Sequence, residues 1–258
     1  MSEMGVQPAA AAGPAAEAPG LTQWQRIAYT FTAPSKTFAD IKRGNKSWWL
    51  PFVLFIVVGS ALWGTVTVKV GWPQVVENGL RFAPKQAERL QSLPQAQQEA
   101  QAKVGAIIQE VLWALGPAWV LLFNVIAAGV LLATINFGFG GRAKFSEVLA
   151  VSWYAGLPGL IKLALGAISL WVGVAAESFL PGDPAGTNAA YFMNPTETGM
   201  VLWTLLAGLD FTFIWTLVLF GGGLARVAGT KPSSGYIAVF GWWVLYLLVQ
   251  IGMTAAFN

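Results

Sequence analysis

Five long stretches almost free of charge dominate this chain, and they leave it one environment in which to fold. Residues 48–68, 111–141 and 236–257 carry no charge, residues 148–176 carry only Lys162, and residues 198–225 carry only Asp210. A helix crosses the roughly 30 Å hydrocarbon core of a bilayer with about 20 apolar residues. Lipid offers the backbone no hydrogen-bond partner, so such runs must close their N–H and C=O groups within helices. A transmembrane β-barrel would instead show segments of about ten residues alternating apolar and polar. The expected architecture is an all-α integral membrane protein, a five-helix bundle with spans near 48–68, 111–138, 148–175, 199–224 and 236–257. With 55% hydrophobic and 10% charged residues and a mean hydropathy of +0.58, composition excludes an ordinary soluble α/β domain.

Residues 1–20 are rich in Ala, Pro and Gly and lack both a basic start and an apolar stretch, so they read as a disordered tail and not as a signal peptide. Over residues 21–46, Leu21, Trp24, Ile27, Ala28 and Phe31 recur at helical spacing. A second short helix follows Pro34, capped by Ser35 and stopped near Gly44. These two amphipathic helices either lie in the membrane interface or pack on the bundle from the cytoplasm. Residues 47–258 form the membrane domain.

Basic loops stay on the cytoplasmic side of a membrane. With the N-terminus inside, the cytoplasmic segments hold Arg26, Lys36, Lys42, Arg43, Lys46, Arg142, Lys144, Arg226 and Lys231. The opposite side holds Lys69, Arg81, Lys85, Arg89 and Lys103, which Glu77, Glu88, Glu99 and Glu110 nearly balance. The expected topology is a cytoplasmic N-terminus and an extracytoplasmic C-terminus. Residues 71–110, cut by Pro73, Pro84 and Pro94, read as short helical pieces whose last member runs into the second span. The region from Pro181 to Asn194, with Gly182, Asp183, Pro184, Gly186 and Asn188, reads as an irregular exoplasmic loop.

Phe31-Thr32-Ala33-Pro34-Ser35-Lys36-Thr37-Phe38, followed by Ser47-Trp48-Trp49-Leu50-Pro51, resembles the opening of bacterial proteins of the Yip family, the Ypt/Rab-interacting-protein family. Gly140-Gly141-Arg142-Ala143-Lys144-Phe145, then Tyr154-Ala155 and Leu157-Pro158, is similar to that family's central region. The resemblance extends over roughly residues 25–255. It implies a five-span helical domain with a cytosolic N-terminus. Eukaryotic members are associated with Rab-type GTPases and vesicle traffic, a route that a bacterial cell does not have, so that role is not carried over.

Lys162 and Asp210 carry the most chemical information, because a lone charge at mid-membrane costs about 2.5 to 3.5 kcal/mol on insertion scales. Gly159, Lys162, Gly166, Ser169 and Gly173 share one helical face, made of small residues around the lysine. Counted along continuous helices from Ala175 and Gly199, Lys162 and Asp210 stand at about 20 and 17 Å depth. Nearly level, they are expected to approach each other as an ion pair or to share water, which offsets part of the cost of burial. The competing readings are other partners for each charge, or snorkelling.

Thr204, Gly208, Thr212 and Thr216 form a small polar seam on the fourth span, read as helix packing ahead of a permeation path. Asn124 is expected to make an interhelical hydrogen bond, with substrate contact the alternative. Pro51, Pro117 and Pro158 are candidate kinks, and Gly156-Leu157-Pro158-Gly159 could interrupt the third span as broken transporter helices do.

The chain has no His and no Cys, which excludes zinc sites of the usual kind, histidine acid/base work and thiol nucleophiles. Ser169 and Lys162 lie about 10 Å apart along a helix axis, too far for a Ser-Lys pair. Gly138, Gly140 and Gly141 lack the phosphate-loop frame. Neither a catalytic residue, a metal nor a cofactor is expected. Despite a pI near 9.2, no basic stripe with interleaved aromatics points to nucleic acid. The expected partners are the lipid bilayer and other membrane proteins or a second copy of the chain. The function expected is that of a non-catalytic membrane scaffold or membrane-organising protein in a bacterial cytoplasmic membrane. The alternative is a small proton- or ion-coupled transporter or channel using Lys162 and Asp210. A water-accessible crevice reaching both would favour transport; a dry, packed pair would favour the scaffold.

Overall fold

The structure is a computed structural model that describes residues 20–257. The tail expected over residues 1–20 lies, apart from Gly20, outside the described residues. The chain folds as helices α1 (Gln23–Thr32), α2 (Pro34–Lys42), α3 (Trp49–Lys69), α4 (Trp72–Leu80), α5 (Pro84–Gln91), α6 (Gln95–Ala114) and α7 (Gly116–Ala133). There follow α8 (Phe145–Ala155), α9 (Pro158–Trp171), α10 (Pro195–Thr198), α11 (Met200–Gly208), α12 (Phe211–Ala228) and α13 (Pro232–Phe257). No strand occurs among the described residues.

Among the described residues, five helical segments are long and apolar enough to cross a membrane: Trp49–Lys69, Gly116–Gly138, Phe145–Trp171, Phe211–Ala228 and Pro232–Ala256. The protein is a multi-pass membrane protein. The third and fourth spans form its centre, with 56% of each buried by protein, against 22% for the first and 17% for the second and fifth. α3 packs on α9, α7 on α8, and α13 on α12. The outer spans present Val57, Phe123, Ile126 and Leu248 outward, where acyl chains and not water cover them.

Three expected element boundaries shift, each for a local reason. α6 does not run unbroken into the second span: the helix is interrupted at Leu115, and Pro117 sits in the first turn of α7, where its missing N–H costs no hydrogen bond. Pro158 likewise opens α9, after α8 has ended at Ala155, and Pro51 lies in the first turn of α3. All three prolines start helices and none bends a helix at its middle. The fourth span, expected to run from 199 to 224, is divided into α11 and α12 by Leu209 and Asp210. Beyond these, the last turn of the second span widens into a π-helical turn, Thr134–Gly138. There the Asn136 amide donates to the Ala143 carbonyl and accepts from the Ala143 N–H, both at 3.0 Å, and so closes the loop into α8.

α1 and α2 pack against the bundle on α8 and α12. α2 begins at Pro34 after Ala33, with no side-chain cap from Ser35, the expected cap. Phe38 and Ile41 are buried in the main core beside Val148, Val151 and Leu224. The stack at the mouth of the first span is aromatic: Trp153 lies parallel to Trp48 at 5.5 Å and meets the edges of Phe52 and Phe55.

Candidate functional site: a charge cluster at a broken span

The fourth span breaks at Asp210 because that residue acts as a helix cap. With extended backbone, it accepts the Phe213 N–H at 3.0 Å on Oδ1 and so begins α12. The Thr212 hydroxyl donates to the same oxygen at 2.6 Å. The partial positive charge of a helix N-terminus further favours a carboxylate there. α12 rises about 27 Å over its 18 residues, close to the thickness of the hydrocarbon core. Asp210 therefore stands about 27 Å from the other end of α12, while α11 continues beyond it alongside α13. Lys162, 17 residues along the third span from Phe145, reaches about 26 Å from the same end.

Lys162 Nζ lies 2.8 Å from Asp210 Oδ2. It also lies 2.7 Å from Oδ1 of Asp183, a residue that sequence reasoning left in an irregular loop. The loop following α9 folds back onto the spans and delivers Asp183, Thr187 and Asn188 to the lysine. The Thr187 hydroxyl donates to Asp210 Oδ2, and the Asn188 amide donates to Asp183 Oδ1 at 2.7 Å. The loop's backbone joins in, since the Thr187 carbonyl accepts the Phe211 N–H at 2.9 Å. Asp183 and Asp210 are each 4% exposed.

The small face of α9 explains how the loop comes so close. A Cβ on Gly166 would stand 2.7 Å from Pro184 Cβ, so only glycine admits the loop there. Gly159 faces Phe55 of α3, Ser169 donates to the Gly166 carbonyl of its own helix, and Gly173 has φ +108° just past the end of α9. The face predicted to receive a neighbouring helix thus receives a loop at its centre and α3 at its start.

A crevice of about 500 Å³ opens beside the cluster, lined by residues of α9, α11, α12 and α13 and of the loop after α9. Lys162, Asp183 and Asp210 reach it, as do Thr204, Gly208, Thr212 and Thr216. The polar seam survives the break in the span and lines this crevice. Along it, Thr204 Oγ1 lies 3.2 Å from Thr254 Oγ1 of α13, and a Cβ on Gly208 would meet Leu247 at 2.5 Å. Asn124 is a correction: its amide donates to the Val120 carbonyl of its own helix at 2.9 Å and makes no bond between helices.

A second charged cluster, which sequence reasoning did not single out, holds the N-terminal helices in place. Asp40, 1% exposed, accepts from the Leu21 N–H, Asn45 and Arg43, and Arg26 Nε stands 3.8 Å away. Arg26 donates to the Asn45 carbonyl at 2.8 Å and lies over the Tyr154 ring at 4.9 Å. Burial lowers its pKa, while Tyr154 and Asp40 oppose that shift. The Tyr154 hydroxyl in turn donates to the Ser47 carbonyl at 3.1 Å.

With the Thr37 hydroxyl donating to the Arg26 carbonyl at 2.9 Å, these contacts join the segments on which the family resemblance rests, the Phe31 to Phe38 run, Ser47-Trp48 and Tyr154-Ala155. Set against known families, residues 28–254 match the Yip1 domain. The chain belongs to the Yip1 domain family. No curated protein and no solved structure matches it. In this Yip1-domain protein the matched region takes in the first four spans, the fifth as far as Thr254, the charge cluster at the broken span and the crevice, while Leu21 and Arg26 of the second cluster lie just before it.

Proposed function

We propose that this Yip1-domain protein is a non-catalytic membrane-organising protein of a bacterial cytoplasmic membrane, its N-terminus in the cytoplasm and its C-terminus outside. The observation that carries the reading is the saturation of Asp210. One carboxylate accepts from Lys162, Thr187, Thr212 and the Phe213 N–H, which makes it a pin joining loop, broken span and third span. Such a pin fixes the shape of a surface that other membrane components meet. The orientation rests on the basic residues of the short loops, Arg142, Lys144, Arg226 and Lys231. The bacterial assignment rests on the resemblance of the opening segments.

A second reading, a small ion- or proton-coupled transporter, draws its support from the crevice that reaches Lys162 and Asp210 and from the broken helix beside it. Crosslinking in native membranes followed by co-purification separates the two. Reproducible protein or lipid neighbours, with no ion flux in reconstituted vesicles, are expected. Flux abolished by Lys162→Met in protein that still folds would overturn the membrane-organising reading.

A further inference from the structure

The cluster at the broken span is one positive charge short. Lys162 faces both Asp183 and Asp210, and a surplus negative charge on carboxylates this buried calls for a counter-ion. The shortage falls on Asp183. Its Oδ1 takes both Lys162 and Asn188, while Oδ2, buried, has no hydrogen-bond donor. Asp210 shows no such vacancy.

We infer that the crevice beside Asp183 binds the primary ammonium headgroup of a membrane phospholipid. The inference names a ligand for the membrane-organising reading and rests on it. A bare metal ion fits poorly, because among the described residues no three acidic side chains converge and about 500 Å³ is far more room than an ion fills. An organic cation suits the walls: Trp203, Phe213, Trp243 and Tyr246 line the crevice, and aromatic faces attract ammonium groups. A lipid suits the position. Phe213 and Tyr246 are 40% and 55% exposed on the outer surface, which opens the crevice sideways to the acyl chains. A primary ammonium can donate a hydrogen bond to a carboxylate, a quaternary one cannot, and an anionic headgroup is repelled.

The test uses the full chain in detergent and native mass spectrometry with phosphatidylethanolamine, phosphatidylcholine and phosphatidylglycerol of identical acyl chains. Phosphatidylethanolamine is expected to be retained about fivefold or more over phosphatidylglycerol, with phosphatidylcholine between them. Asp183→Asn, which removes the charge and keeps the shape, should abolish the preference. So should Ala207→Phe, which fills the crevice from a lining position outside the cluster and carries the test if Asp183→Asn is not recovered folded. Equal retention of the three lipids by the wild type overturns the inference, as does an unchanged preference in folded Ala207→Phe. Free ethanolamine protecting the protein from thermal unfolding as strongly as the lipid does would also overturn it, in favour of a soluble amine. Protein neighbours captured by crosslinking would survive any of these results, so the inference can fail while the membrane-organising reading stands.

Discussion

Replacing Lys162 by Met isolates the energetic role of the charge cluster. The substitution keeps length and volume but leaves Asp183 and Asp210, each 4% exposed, facing each other without a cation. Breaking a buried ion pair from one side costs about 3 to 5 kcal/mol, because the remaining charge stays desolvated. For a protein of this size each kcal/mol lowers the melting temperature by about 2 to 4 °C, so a drop of about 6 to 20 °C is expected. Adding Asp210→Asn should recover part of it, since asparagine still caps α12. Adding Asp183→Asn as well should recover more. The assay is thermal unfolding in one detergent, followed by tryptophan fluorescence and monodisperse yield. If Lys162→Met and Asp210→Asn each melt like the wild type, the cluster is not a pin and the reasoning fails.

Gly166→Leu should lower stability by about 1 to 3 kcal/mol, because its side chain must displace Pro184; the same melting assay reads it, and a neutral result would mean the loop does not rest on α9. Asn124→Ala should change stability by no more than about 0.5 kcal/mol, since its amide bonds only within its own helix. Asp40→Asn should leave Arg26 buried without a counter-charge and release α1 and α2 from the bundle. Trypsin should then cut between Arg26 and Lys46 faster than in the wild type, and equal cleavage rates would contradict this.

Hydropathy was sufficient for the five spans because lipid exposure is written residue by residue into an apolar stretch. The break in the fourth span was not legible in the same way. Its signal was present, an aspartate followed by Phe211-Thr212 with a helix beyond, but within 28 residues interrupted by one charge, continuity is the simpler reading. Capping competes with helix continuation only once Thr187 arrives to take the Phe211 N–H. Asp183 was missed for a related reason: it lies 21 residues from Lys162 in a segment rich in Gly, Pro and Asn, and nothing periodic fixes where such a loop lands. The level of Lys162 with Asp210 could be counted because helices have a constant rise, whereas the distance of both from the bilayer centre depended on the break. Gly166 was singled out as part of a small-residue face, and its neighbour proved to be Pro184.

The separation of the cluster along the chain has a consequence for how the protein is made. Asp210 emerges from the ribosome 48 residues after Lys162, a delay of about 2 to 10 s at ordinary rates of synthesis. Through that interval the third span has a lysine to shelter and no aspartate from the fourth. Biogenesis thus sets an order on the pieces: the lysine waits until the two acids that face it have been delivered, Asp183 first and Asp210 27 residues later.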